Sequence, residues 1–147
     1  MALGFNQTLQ YSRVISRYYM MDYDQFSEAF SDFIETVTEA GYSPTDGIFY
    51  AINTDIRQKR DMVVQVFLPV EEEHIYALPD EYSYQSYFQV LNMLGTRVMG
   101  DSEQSFDRGL NELISIVVEQ DLDITTPPFF KVTVDEILYT DILLGVR

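Results

Sequence analysis

DYDQFSEAFSDFIETVTEAG, residues 22–41, and DSEQSFDRGLNELISIVVEQ, residues 101–120, decide how this chain is read. In the first stretch Phe26, Phe30, Phe33, Ile34 and Val37 recur at the spacing of one helix face. Asp22 or Asp24 supplies an N-cap, acids crowd the first turn, and Gly41 is the stop. In the second stretch Asp101 or Ser102 caps a helix whose inward positions are Phe106, Leu110, Leu113, Ile114 and Val117. Each of these lies 80 places after its counterpart, Phe26 to Phe106 being the first pair and Val37 to Val117 the last. Helices are therefore predicted over 24–40 and 102–120.

The match extends outward from the helices. Arg17 falls on Arg97, Tyr42 on Leu122, Pro44 on Ile124, Phe49 on Phe129, Tyr50 on Phe130 and Asp55 on Asp135. Beyond that point the first copy carries four extra residues, after which Pro69-Val70 matches Gly145-Val146. Two amphipathic helices can resemble each other by chance, but a shared spacing to a following strand pair points to an internal repeat. Each copy opens with a β-branched and aromatic strand. These are Tyr11–Met20, and Ser83–Met99 with an interruption around Asn92–Gly95. After the helix, YSPTDG and DITTPP read as turns. A hairpin closes each copy: Ile48–Asn53 with Met62–Leu68, and Phe129–Val134 with Leu138–Leu144. The expected fold is α+β, a tandem β-α-β-β repeat forming a mostly antiparallel sheet with two long helices on one face. The other face would offer a shallow groove between the repeats. They span about 10–70 and 82–147 of a single domain, joined by a solvated linker, 70–81, that holds five acids and no Lys or Arg.

Composition bounds what such a domain can do. The chain has 147 residues, 46% of them hydrophobic and 14% aromatic, enough for a real core. Its formal net charge is −15, which argues against nucleic acid and anionic membranes and suits a cationic ligand or a basic partner. It has no cysteine, so disulfides, thiolate chemistry and Cys-based zinc sites are excluded. MALGFNQTLQYSR lacks the charge and apolar run of a signal peptide, and no segment is long and apolar enough to span a bilayer. A cytoplasmic location is the expectation. His74 is the sole histidine, so no metal site and no cofactor are expected. No nucleophile–base pair or phosphate loop can be named, and an enzyme is not the first reading.

ILYTDILLGVR, residues 137–147, places Asp141 inside an apolar strand, as Gln65 interrupts DMVVQVFLPV in the first copy. Asp141 has three readings: a ligand carboxylate in an aromatic groove, a cross-strand partner of Lys131, or a solvated strand residue. A three-residue turn at Asp135–Ile137 would set residues 131 and 141 opposite each other. Among the eleven tyrosines, Tyr19, Tyr50, Tyr84 and Tyr139 are the groove candidates, with Phe129 beside them. Tyrosine serves a half-exposed sheet face equally well.

The duplicated order, with GIFYAINTD, DMVVQVFLPV, TRVMGD and ILYTDILLGV, resembles the GyrI-like or effector-binding family. That family also supplies the ligand-sensing domain of multidrug-responsive transcription activators. The resemblance covers nearly the whole chain. It implies non-enzymatic binding of a hydrophobic, cationic small molecule, with Tyr139 and Asp141 matching an aromatic-then-acid pattern in the ligand groove. Asp stands where Glu is more usual, and Gly145 where Pro is. It further implies a stand-alone sensor without a DNA-binding domain. Some relatives hydrolyse electrophilic small molecules. A second, looser likeness is to small proteins of Gram-positive bacteria encoded beside type VII secretion toxins. It implies the alternative, a protein-interaction role as an accessory or immunity protein.

Overall fold

A computed structural model describes residues 2–55, 57–134 and 136–147. Asp135, and with it the Asp55–Asp135 match, lies outside the described residues. The strands are β1 (Ala2–Tyr11), β2 (Val14–Met21), β3 (Phe49–Ile52), β4 (Met62–Pro69), β5 (Tyr82–Gln85), β6 (Phe88–Met99), β7 (Phe129–Val134) and β8 (Leu138–Gly145). The helices are α1 (Phe26–Ala40) and α2 (Glu103–Glu119). This is the α+β class expected, and the β2–β4, β2–β5, β3–β4, β6–β8 and β7–β8 pairings are all antiparallel. The chain divides into two compact units, Gln10–Phe88 and Gln89–Arg147 with Met1–Leu9.

In the first unit the strand order is β3-β4-β2-β5, and α1 packs on one face of it. A 3-10 turn, Tyr23–Gln25, leads into α1, and the Gln25 side chain accepts the Asp22 N–H at 2.8 Å. Gly41 ends the helix at φ +115°, a conformation glycine adopts without penalty. Phe26, Phe33 and Val37 are buried as the helical spacing requires, whereas Ile34 is 38% exposed. In the second unit the order is β1-β6-β8-β7, with α2 over β6 and β8. Ser102 is the cap, accepting the Ser105 N–H at 3.1 Å. Gly109 lets α2 come close: a Cβ there would meet both Ile142 Cδ1 and Val98 Cγ1 at 2.7 Å.

The strands depart from expectation in three places. β1 precedes Tyr11, where no element was expected, and adds an outer strand to β6. The segment read as one strand, Ser83–Met99, is two, separated at Ser86–Tyr87. The interruption expected at Asn92–Gly95 is absent. β6 runs through, and Asn92 takes φ 57° while its side chain donates to the Val146 carbonyl at 2.8 Å.

The acidic linker is anchored, not merely solvated. The Ser43 N–H and hydroxyl donate to the Glu72 carboxylate at 2.6 and 2.8 Å. The Tyr42 hydroxyl donates to the Tyr76 carbonyl at 2.6 Å and accepts the Tyr76 N–H at 3.2 Å. His74 stacks on Tyr84 at 4.8 Å between ring centres. Among the described residues no helix is long and apolar enough to cross a membrane.

Candidate functional site

Strand alternation sorts the candidate residues onto two faces. In the first unit Tyr50 is buried against Phe26 and Phe30, both on α1. The Tyr19 hydroxyl donates to the Asp32 carboxylate of α1 at 3.2 Å. The Tyr84 hydroxyl donates to the Glu72 carbonyl at 2.9 Å. Burial, the largest cause in each case, raises both the Tyr19 and Tyr84 phenols above their ordinary values and keeps them as donors. Tyr19, Tyr50 and Tyr84 therefore lie on the α1 side of their strands, not on the open face where the sequence reading set them. The face opposite α1 carries Ser16, Tyr18 and Gln65 instead, since Tyr18 is the register partner of Gln65. Further along this face Phe49 and Phe67 stack at 4.7 Å, flanked by Tyr11 and Phe88.

In the second unit Thr96, Val98 and Ile142 lie beneath Gly109 on the α2 side. Arg97 and Asp141 alternate with these and face away from the helix. Phe129, Tyr139 and Asp141, the remaining three candidates, share that helix-free face. Phe129 pairs in register with Leu143, two residues from Asp141, and is buried. Lys131 is the register partner of Asp141, as the short turn implied.

Asp141 also forms an ion pair with a residue that the sequence reading did not name as its partner. Arg97, on β6, is the other register partner of Asp141. Its Nε donates to Asp141 Oδ1 at 2.8 Å and its Nη2 to Oδ2 at 3.3 Å. The same guanidinium lies 3.9 Å from the ring centre of Tyr139. The Asp141 hydrogen bonds raise the Arg97 pKa still further, so the group is charged at every working pH. The Arg97 and Asp141 side chains remain 50% and 30% exposed. A carboxylate and an aromatic face thus hold one planar cation between them, in contact with water.

Arg97 was missed because the ungapped match paired it with Arg17. Strand register pairs it with Tyr18: Tyr18 stands opposite Gln65, and Arg97 opposite Asp141. Arg17 points to the α1 side, 4.3 Å from the Tyr19 ring centre and 5.3 Å from that of Tyr82. The signal available was Asp141 itself, whose two neighbours across the strands are both basic. Among the described residues no three His, Asp or Glu side chains form a metal-ligand cluster.

A family model described as a domain of unknown function, DUF5085, matches residues 10–144. The chain belongs to the DUF5085 family. No curated protein matches it in sequence. Among solved structures, the crystal structure of the EcmrR C-terminal domain superposes with a TM-score of 0.72 at 14% identity, over 97% of this chain and 98% of that one. In a cryo-EM structure of an EcmrR–DNA complex the TM-score is 0.76 at 14% identity, over 99% of this chain and 56% of that one. A hydrolase from Listeria innocua superposes with a TM-score of 0.59 at 9% identity, covering 99% and 90%. At such identities the likeness establishes a shared fold and no activity. The chain shares its fold with the EcmrR C-terminal domain, and the family whose model matches is DUF5085.

Proposed function

We propose that this DUF5085 member is a non-enzymatic binding domain for hydrophobic, cationic small molecules. The helix-free face of its second unit would be the site. One observation carries the reading: Tyr139 and Asp141 already hold a guanidinium, at 3.9 Å from the ring centre and 2.8 Å from the carboxylate. The chemistry that holds Arg97 suits any flat or apolar-bodied cation: an electron-rich ring face, a negative charge and a wet rim. Half-buried Leu143 adds apolar surface on the same face, while its register partner Phe129 is buried. The likeness in fold to the EcmrR C-terminal domain and the overall charge of −15 support the reading. The protein-interaction alternative finds support in Tyr18 and Met20, 57% and 74% exposed on the helix-free face of the first unit.

Titration with tetraphenylphosphonium tests the ligand reading. Asp141→Asn keeps the shape and removes the charge. A partly exposed ion pair of about 1–2 kcal/mol corresponds to about five- to thirtyfold weaker binding. Equal affinity in both proteins would end this assignment of Asp141. No binding by either would favour the protein-partner alternative.

A further inference from the structure

Arg97, Asp141 and Lys131 lie side by side in one register row across β6, β8 and β7. The row holds two cations and one carboxylate. The Arg97 guanidinium already takes both Asp141 carboxylate oxygens and the face of Tyr139, so a ligand cation simply added there would find its contacts occupied. A cation that takes the place of the Arg97 guanidinium leaves the charge of the row unchanged. Arg97 can leave cheaply: its side chain is half exposed, and exposed ion pairs are held weakly. Deprotonation offers no route, because the guanidinium stays charged. Only a rival cation, or loss of the Asp141 charge, can dislodge it.

We infer that Arg97 is a tethered occupant of the Tyr139–Asp141 site, and that a cationic ligand binds by displacing it. The inference rests on the cation-binding reading above and adds the regulation of that site. Being fixed to β6, the guanidinium competes at a high local concentration and suppresses binding of small hydrated cations. A ligand wins only by placing more apolar surface on Tyr139 and its neighbours than a guanidinium does. Arg97 is thereby a specificity-determining residue: it selects cations with bulky aromatic bodies over simple amines.

The test is calorimetric titration of wild type, Arg97→Gln, Arg97→Lys and Asp141→Asn with tetraphenylphosphonium. A parallel titration follows the Arg97 Nε–H resonance by nitrogen-15 NMR. Arg97→Gln removes the occupant and should bind about five- to tenfold more tightly. Arg97→Lys keeps the charge but loses the planar fork, so it should fall between wild type and Arg97→Gln. The Nε–H signal should leave its ring-shifted position with the same midpoint as binding. Suppose Asp141→Asn weakens binding while Arg97→Gln gives no gain. Arg97 is then no competitor, and the cation site stands without it. If Arg97→Lys equals wild type while Arg97→Gln gains, charge at a distance is at work, and occupancy is overturned. If Asp141→Asn binds as wild type does, or no variant binds the probe, the cation reading and this inference fall together.

Discussion

The two units set different chemistry on the same three register positions. On the helix-free face of the first, Tyr18, Gln65 and Ala51 lie in a row across β2, β4 and β3. On the helix-free face of the second, Arg97, Asp141 and Lys131 occupy the corresponding row. The closing hairpins correspond position for position, and both are sealed by an isolated bridge, Pro44 to Val70 and Ile124 to Val146. The first unit is uncharged in this row and carries the packed rings of Tyr11, Phe49, Phe67 and Phe88 further along the same face. The second sets two of the chain's nine basic residues in register beside a carboxylate that is 30% exposed. The same scaffold thus carries an uncharged, ring-rich face in one unit and a charged, water-exposed row in the other. Chemistry is a property of the row and not of the fold.

The largest test of this parallel lies in the cores. Phe33 and Leu113 occupy matching places on α1 and α2, and both are wholly buried. Phe33→Ala should cost about 4 kcal/mol and Leu113→Ala about 3 kcal/mol in chemical denaturation, from lost transfer energy and the cavity left behind. A cost below about 1 kcal/mol at either position would break the comparison, because that helix would not be seated as its twin is.

A smaller effect sharpens the comparison where the helices differ. Gly109 and Ala29 also match in place. A side chain at Gly109 runs into Val98 and Ile142, whereas half-buried Ala29 lines an open cavity of about 280 Å³ with Met20, Met21, Gln25, Glu28 and Asp32. Gly109→Leu should therefore lose about 2–3 kcal/mol by overpacking, and Ala29→Leu should stay within about 1 kcal/mol of wild type. Thermal melts of the pair decide it. Equal losses would mean that α1 is pressed as closely onto its strands as α2.

Much of this architecture was legible before any coordinates. The helices follow from the spacing of Phe26, Phe33 and Val37 and of Phe106, Leu113 and Val117, and a short turn is enough to set Lys131 opposite Asp141. What escaped the sequence reading has one main physical cause, the parity of strands. Tyr18 precedes Phe26 by one residue fewer than Arg97 precedes Phe106, and the difference falls in the connection that holds Gly100 at φ 79°. A match without gaps cannot see that residue. A one-residue slip in a strand exchanges its faces, so Arg17 was equated with Arg97 although they point to opposite sides. The same parity hid that Tyr19, Tyr50 and Tyr84 turn toward α1 and the linker. The anchoring of the linker was hidden for another reason. It depends on Tyr42 meeting Tyr76 and Ser43 meeting Glu72, contacts between side chains about thirty residues apart that no local pattern announces.

The smallest expected effect concerns that linker, which has no counterpart in the second unit's hairpin ending. The Ser43 N–H, and then its hydroxyl, hold the Glu72 carboxyl below its ordinary pKa of 4.5. Since the folded value is the lower one, the unfolded chain binds the proton more readily. The contribution of the anchor is therefore complete above about pH 4.5 and is lost as pH falls through the depressed folded value. Amide exchange at Ser43, with the ring signals of His74 and Tyr84, should report a linker that stays docked from neutral pH down to about 4.5 and loosens below it. Glu72→Gln keeps an acceptor for the Ser43 N–H but has no charge to lose. Its linker should be looser at neutral pH and should show a much flatter profile in acid. A wild-type profile that matches the variant's would show that the docking rests on the contacts of Tyr42, Tyr76 and Tyr84, and that the carboxylate adds only solubility.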